Sequence, residues 1–275
     1  MEQKIIDAKN AEFWNELCGT WMARVHGITE VTPENLRQFD KTYLDYYPYL
    51  APYVAKENLT NKKVLEIGLG YGTLGQLLAS QGGEYYGLDI AQGPVEMMRY
   101  RLNQLGQPGE LRVKVGSALD IPYPEQYFDY VYTIGCLHHT GNLQKSIAEV
   151  HRVLKLGGKA IVMLYNYFSY RQLVEVPLQR LRERGVFSAS TFGERVRALY
   201  DTNDQGEAAP HTDYTTPLGV RRLFKNFSRV KVDIRNFETL SLFGNKIVVE
   251  REKLLDNVAR VLGLDLYITA TKKDG

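Results

Sequence analysis

Two groups of residues in this 275-residue chain have the types and spacing to do chemistry. The first is an acid followed by glycines at alternate positions, Glu66, Gly68, Gly70 and Gly72, with a second acid, Asp89, further on. The second is a pair of adjacent histidines, His138 and His139, directly after Cys136 and Leu137. Imidazole is the side chain best poised to take a proton near neutral pH, so both histidines are candidate general bases. Glycines spaced in this way let a turn adopt positive φ and approach a ligand closely. A helix opening from that turn would present unpaired N–H groups to the same ligand. A dinucleotide fingerprint would want its third glycine where Thr73 stands, so a pyrophosphate ligand is disfavoured. An acid at position 66 suits a ligand with an amino group or a positive centre instead.

The elements that must hold these residues follow from the apolar pattern. Residues 64–67 read as a buried strand running into the glycine turn, and Leu74, Leu77 and Leu78 give the next helix its apolar face. A second strand over 84–88 ends at Asp89, close to the distance at which a βαβ unit delivers an acid to a ribose. A carboxylate can accept from both ribose hydroxyls, although a turn aspartate is the alternative. A helix over 94–105, a strand over 111–115, a strand over 127–133 leading to the histidines, a helix over 142–154 and a strand over 160–165 complete this part. Gly157 and Gly158 serve as a connector.

Glu66-Ile67-Gly68-Leu69-Gly70-Tyr71-Gly72 resembles motif I of the class I S-adenosylmethionine-dependent methyltransferases, in particular the small-molecule, type 11-like members. The resemblance runs over residues 62–164. It implies an α/β fold: a Rossmann-like seven-stranded methyltransferase sheet, mostly parallel with an antiparallel last strand, carrying a helical N-terminal lid and an inserted helical cap. As one domain, residues 1–58 would be the lid, 62–165 the cofactor-binding core, 166–216 the acceptor cap and 217–275 the C-terminal part of the sheet. The implied cofactor is S-adenosyl-L-methionine. Glu66, Gly68, Gly70 and Gly72 would hold it at motif I, Asp89 at the ribose, Ile90 beside the adenine ring, Ser117 and Ala118 in the adenine loop, and Ile134 near the methionine amino group. The family commonly has an acid where Ser117 stands, and Asp120 could substitute for it. Cys136-Leu137-His138 also resembles plant small-molecule O-methyltransferases in which this histidine is the base. There an aspartate usually follows, whereas here His139 does, and in other members a Leu-His-His segment only holds the loop together.

Two helices precede the first strand. Phe13, Trp14, Leu17, Trp21, Met22 and Val25 give helical spacing over 8–25, and Thr32 with Pro33 opens a second helix through Tyr47. After Tyr165 come about fifty residues that the core does not require, read as helices over 169–184 and 191–200 and a loop over 201–216. An insertion there overhangs the carboxyl ends of the strands, where open α/β sheets bind ligands. Trp14 and Tyr43 from the lid, and Asn166, His211 and Tyr214 from the cap, are the candidate acceptor contacts; Tyr167, Arg171 and Asp213 could join them. The arginines at 180, 182, 184, 195 and 197 read as a solvated face. A helix over 218–227, a strand from 230, a helix through Leu254 and Val261 and a strand over 264–271 would close the sheet.

Bulk properties narrow the function. Lys and Arg number 34 against 32 Asp and Glu, so no strong global field favours nucleic acid as a partner. Cys18 and Cys136 form no metal or redox motif, which fits a reduced, cytoplasmic setting without a metal site. No apolar run suggests a membrane span, and the first ten residues lack a signal core. The implied reaction is transfer of a methyl group to a small organic acceptor, at oxygen or nitrogen, in secondary or specialised metabolism. The alternatives are a methyltransferase acting on RNA or protein, and a noncatalytic S-adenosylmethionine-binding protein. The acceptor and the oligomeric state are not written in the sequence.

Overall fold

Val64 and Leu65 are neighbours on one strand, point to opposite faces, and are both fully buried. That combination requires cover on both sides of a sheet. The structure, a computed structural model, describes residues 3–15, 21–28, 30–54, 57–182, 191–203, 205–242 and 246–273. Cys18 and Arg184 lie outside the described residues.

Four N-terminal helices come first: α1 (Gln3–Phe13), α2 (Trp21–Val25), α3 (Pro33–Tyr46) and α4 (Ala51–Val54). The core then alternates β1 (Lys63–Ile67), α5 (Thr73–Ser80), β2 (Glu84–Asp89), α6 (Gln92–Gln104), the turn α7 (Gly109–Arg112), β3 (Val113–Val115), β4 (Phe128–Ile134), a 3₁₀ turn (Leu137–His139), α8 (Leu143–Val153) and β5 (Leu154–Tyr165). The insertion holds a π-helical turn (Arg171–Glu175) running into α9 (Val176–Arg182), then α10 (Phe192–Ala198). The chain ends with α11 (Pro217–Leu223), β6 (Phe227–Arg235), the hairpin strands β7 (Leu240–Leu242) and β8 (Ile247–Val249), the short helices α12 (Arg251–Leu254) and α13 (Ala259–Leu262), and β9 (Asp265–Lys272).

Seven strands form one sheet in the order β3-β2-β1-β4-β5-β9-β6. β1 to β5 pair in parallel, and β9 is antiparallel to both β5 and β6. The seven-stranded, Rossmann-like sheet with its antiparallel last strand is therefore as expected. Strand order reverses between β1 and β4, so the crevice beyond their carboxyl ends is where such a sheet receives a ligand. Glu66 and Ile134 stand at that crevice.

Two apolar layers sandwich the sheet. Leu65, Val131 and Val162 pack with α8 and α11 on one face, while Val64, Tyr132 and Ile161 pack with α5 and α6 on the other. The N-terminal helices join the second layer through α3. Its Thr32 cap accepts from Asn35 N, and Phe39 stacks on Tyr71 with ring centroids 4.0 Å apart. Polar contacts anchor it as well: Arg101, wholly buried on α6, donates from both Nη atoms to Asp40 at 2.8 Å, and Thr73 Oγ1 donates to Asp40 at 2.6 Å.

Three local expectations change. The helix expected over 8–25 is found in two pieces, α1 ending at Phe13 and α2 from Trp21, with Leu17 outside the described residues; Trp14 packs on His139 and Asn15 Oδ1 accepts from Gly93 N. The strand expected over 111–115 loses its first two residues to α7, and Leu111 is 76% exposed. β5 begins at Leu154 instead of Ala160, with a register shift between Phe128 and Tyr130 of β4 absorbing the glycine pair. The β7–β8 hairpin between α11 and β9 has no counterpart in the sequence reading.

Candidate active site

The strand ends, the N-terminal helices, the insertion and α12 enclose a cavity of about 970 Å³. All nine residues proposed from sequence for the cofactor line it: Glu66, Gly68, Gly70, Gly72, Asp89, Ile90, Ser117, Ala118 and Ile134. They converge because β1, β2, β3 and β4 deliver them at the carboxyl ends of the parallel strands.

Gly68 adopts φ +82°, and a Cβ there would stand 2.4 Å from Cys136 Cβ. Only glycine lets the turn after β1 lie against the loop after β4. Gly75, which the motif reading passed over, is equally constrained: a Cβ on it would meet Glu66 Oε2 and the Tyr85 hydroxyl at 2.5 Å. Helix α5 can thus sit directly on the acid.

Glu66 is 2% exposed, and its Oε2 accepts from the Tyr85 hydroxyl at 2.5 Å. Burial raises its carboxyl from 4.5 to about 8, against the lowering effect of that hydrogen bond. A buried acid so poised favours a cationic group placed beside it. Asp89 is also buried. Its Oδ2 accepts from Leu69 N at 2.7 Å and its Oδ1 from Ala91 N at 2.9 Å. Burial raises Asp89 to about 6 despite these donors and the backbone N–H groups of Ile90 and Gly70. This donor set fits the aminoacyl and ribose groups of S-adenosylmethionine. In the loop after β3, Ser117 Oγ accepts from Leu119 N at 3.2 Å, whereas Asp120 is exposed and away from the cavity.

The two histidines part company. His138 is 0% exposed and does not line the cavity; its ring lies 4.0 Å from that of Tyr165. Burial drives its pKa well below the usual 6.5, so it stays neutral. His139 lines the cavity. Its Nδ1 lies 2.7 Å from the His211 carbonyl, which can only accept, so Nδ1 carries the proton and Nε2 the lone pair. Nε2 has no hydrogen-bond partner among the described residues and stands 3.6 Å from Asp201 Oδ2. Burial lowers the His139 pKa, and Asp201 opposes that shift. Asp201 also accepts from the Tyr165 hydroxyl at 2.9 Å.

Of the acceptor candidates, Trp14 and Tyr43 line the cavity; Asn166, His211 and Tyr214 do not. Asn166 is wholly buried and spends its amide on Gly263 O and Phe168 N, closing the end of β5. His211 contributes its carbonyl to His139 while its ring faces Asp213 at 3.1 Å. Tyr214 packs against Tyr200, behind the wall. Arg171 does line it, and so do Tyr200, Asp201, Glu238 and Arg251, four residues that the sequence reading had not singled out. Their one common signal was a place in segments that the core pattern leaves over.

Among the described residues no cluster of His, Cys, Asp or Glu could hold a metal, and no helix is long and apolar enough to cross a membrane.

Residues 65–162 match the family model of a methyltransferase domain. A demethylmenaquinone methyltransferase of Symbiobacterium thermophilum is 30% identical over 36% of this chain and 41% of its own length. A fatty-acid O-methyltransferase of Mycolicibacterium smegmatis is 31% identical over 48% and 49% respectively. The chain thus spans about half the length of the curated relatives it matches. Among solved structures, Haemonchus contortus phosphoethanolamine N-methyltransferase 2, in complex with phosphomonomethylethanolamine and S-adenosylhomocysteine, shares the fold. The TM-score is 0.55 at 16% identity, over 88% of this chain and 58% of that one.

Proposed function

We propose, from the premise that residues 65–162 are a class I S-adenosylmethionine-dependent methyltransferase domain, that the whole protein methylates a hydroxyl group of a small organic acceptor, with His139 as the general base. When bound, S-adenosylmethionine supplies a sulfonium methyl activated for in-line displacement. The tasks left to the chain are to hold the cofactor, align the acceptor, keep water out and take up one proton.

Asp89, held in place by Leu69 N and Ala91 N, would accept the ribose hydroxyls. Glu66 would face the aminoacyl end, where a cation brings its raised pKa down. α1 and α3 act as the lid. α1 is fastened by Asn10, whose Nδ2 donates to His139 O at 2.7 Å, and by Gln3, whose Nε2 donates to Thr140 O at 2.7 Å. The insertion supplies Tyr200 and Asp201 as the acceptor cap.

The observation that carries the reading is the unpartnered lone pair on the buried Nε2 of His139, a residue that lines the cavity, 3.6 Å from Asp201. A proton taken there converts a lone pair facing a carboxylate into an ion pair, which makes Nε2 a better base at the moment it is needed. The enclosed cavity favours a small acceptor over a macromolecule.

The test is transfer of tritiated methyl into a small-molecule cell extract. His139→Ala should lower the rate about 100-fold or more while changing S-adenosylhomocysteine affinity less than threefold. His138→Ala should reduce thermal stability instead, leaving the rate of the folded fraction near that of the unaltered protein. Unchanged turnover in His139→Ala would remove the base from the mechanism.

A further inference from the structure

Arg251 is a buried guanidinium without a carboxylate partner of its own among the described residues. It lines the cavity with 4% of its surface exposed, and its plane lies over the Tyr46 ring at 3.8 Å. Nη2 donates to Asn236 Oδ1 at 3.0 Å and the Tyr46 hydroxyl is a second partner, but Nε finds none among the described residues. The buried acid beyond it, Asp265, is linked through Asn236, whose Nδ2 donates to Asp265 Oδ2 at 2.9 Å. Burial raises that carboxyl to about 7, so it compensates the guanidinium only in part. Arg171, on the same wall, is different: it is paired with Glu238 and lies 3.5 Å from Glu175. A buried cation lacking its anion is costly unless a counter-charge arrives, and the open side of Arg251 is the cavity.

We propose that Arg251 determines acceptor specificity by binding the carboxylate of a hydroxy acid whose hydroxyl is presented to His139. This rests on the transferase reading above and adds the acceptor's class to it. The layout of α3 sets the direction. Tyr43 feels the charge of Glu66, whereas Tyr47, one turn further on, has the Arg251 guanidinium 5.8 Å from its ring. The cavity therefore runs along α3 from the cofactor's aminoacyl end to Arg251, between aromatic rings that suit an apolar body. Charge decides which anion fits. One unserved guanidinium balances a single negative charge, while a phosphate monoester brings about −1.5 to −2. Glu252 on the same wall would repel the excess. Methyl transfer to the hydroxyl oxygen forms an O–CH₃ bond, breaks the cofactor's S–CH₃ bond, moves the hydroxyl proton to His139 and leaves the carboxylate unchanged.

The experiment incubates the full chain with methyl-tritiated S-adenosylmethionine and a cell extract freed of macromolecules, then separates products by anion exchange at pH 7. The expected label is retained at pH 7, released on acidification and stable to mild alkali. Arg251→Gln should reduce it about tenfold or more, with S-adenosylhomocysteine affinity within twofold of the unaltered protein. If the glutamine variant does not fold, Arg251→Lys decides: it keeps the charge but loses the fork, and should raise the acceptor KM at least about threefold with little change in kcat. Label in the unretained fraction, an alkali-labile methyl ester, or an unchanged KM in the lysine variant would overturn the inference alone. No label in any fraction would overturn the transferase reading and the inference with it.

Discussion

Around Glu66 and Asp89 the cavity wall is made of backbone and short side chains at the ends of β1, β2 and β4. Around Tyr200, Asp201 and Arg251 it is made of long side chains from the insertion and the C-terminal tail, closed by α1 and α3. The first wall is fixed by the register of a buried sheet. The second is fixed by side-chain pairing across segments far apart in the chain, Arg171 with Glu238 and His139 with the His211 carbonyl, and the α3 that closes over it is tied at the glycine turn by Asp40 with Arg101. One end should therefore resist substitution of its neighbours and keep its ligand, while the other should loosen when a single pair is broken.

The largest effect expected from that difference is at Asp40. Asp40→Ala strips the buried Arg101 guanidinium of its carboxylate, leaving only Gln76 Oε1 at 2.6 Å. The expected loss is about 3 kcal/mol of stability, since a buried charge is left uncompensated. Urea denaturation measures it, and a loss below about 1 kcal/mol would mean that α3 is held by its apolar face instead.

A smaller effect probes the cofactor end by pH. In the free site Glu66 is largely protonated below about 8, and a cationic amino group favours its ionised form. The bound state has the lower pKa, so affinity for S-adenosylhomocysteine should rise with pH between 6.5 and 8 and level off above it. The slope is at most about tenfold per unit, one proton being released. Calorimetry in buffers of different ionisation enthalpy measures that proton, and Glu66→Gln should flatten the profile. Affinity that falls with pH would contradict the assigned environment.

The smallest effect is at α1. Asn10→Ala removes one buried hydrogen bond to His139 O and should cost about 1 kcal/mol. It should appear as faster cofactor release in stopped flow with little change in melting temperature. An unchanged release rate would separate α1 from any lid role.

How much of this was legible in the sequence follows the same division. Buried parallel strands read as continuous apolar runs, and the glycine turn and Asp89 sit at fixed offsets from them, so the strands and these residues could be placed from local pattern, while the seven-stranded arrangement and Ser117, Ala118 and Ile134 came from the family resemblance. Gly75 was missed because its constraint, contact with Glu66 and Tyr85, exists only once α5 is docked. At the other end local pattern misled. Helical spacing continued past Phe13, but α1 ends there and Trp14 and Asn15 make tertiary contacts. His211 and Tyr214, beside two prolines, looked like pocket residues, and their roles are to hold and back the wall instead. Asp201 and Arg251 carried no motif at all; its approach to His139 singles out the first, burial and an Nε unpartnered among the described residues the second, and both are properties of the folded chain.

The central claim is that the strand-end wall holds S-adenosylmethionine through Asp89. Calorimetric titration of S-adenosylhomocysteine into the unaltered chain and into Asp89→Ala tests it most directly. One-site binding to the first, weakened about 100-fold or more in the second with the melting profile preserved, is the expected result. No heat of binding to the unaltered chain, or equal affinity in the two, would contradict the account.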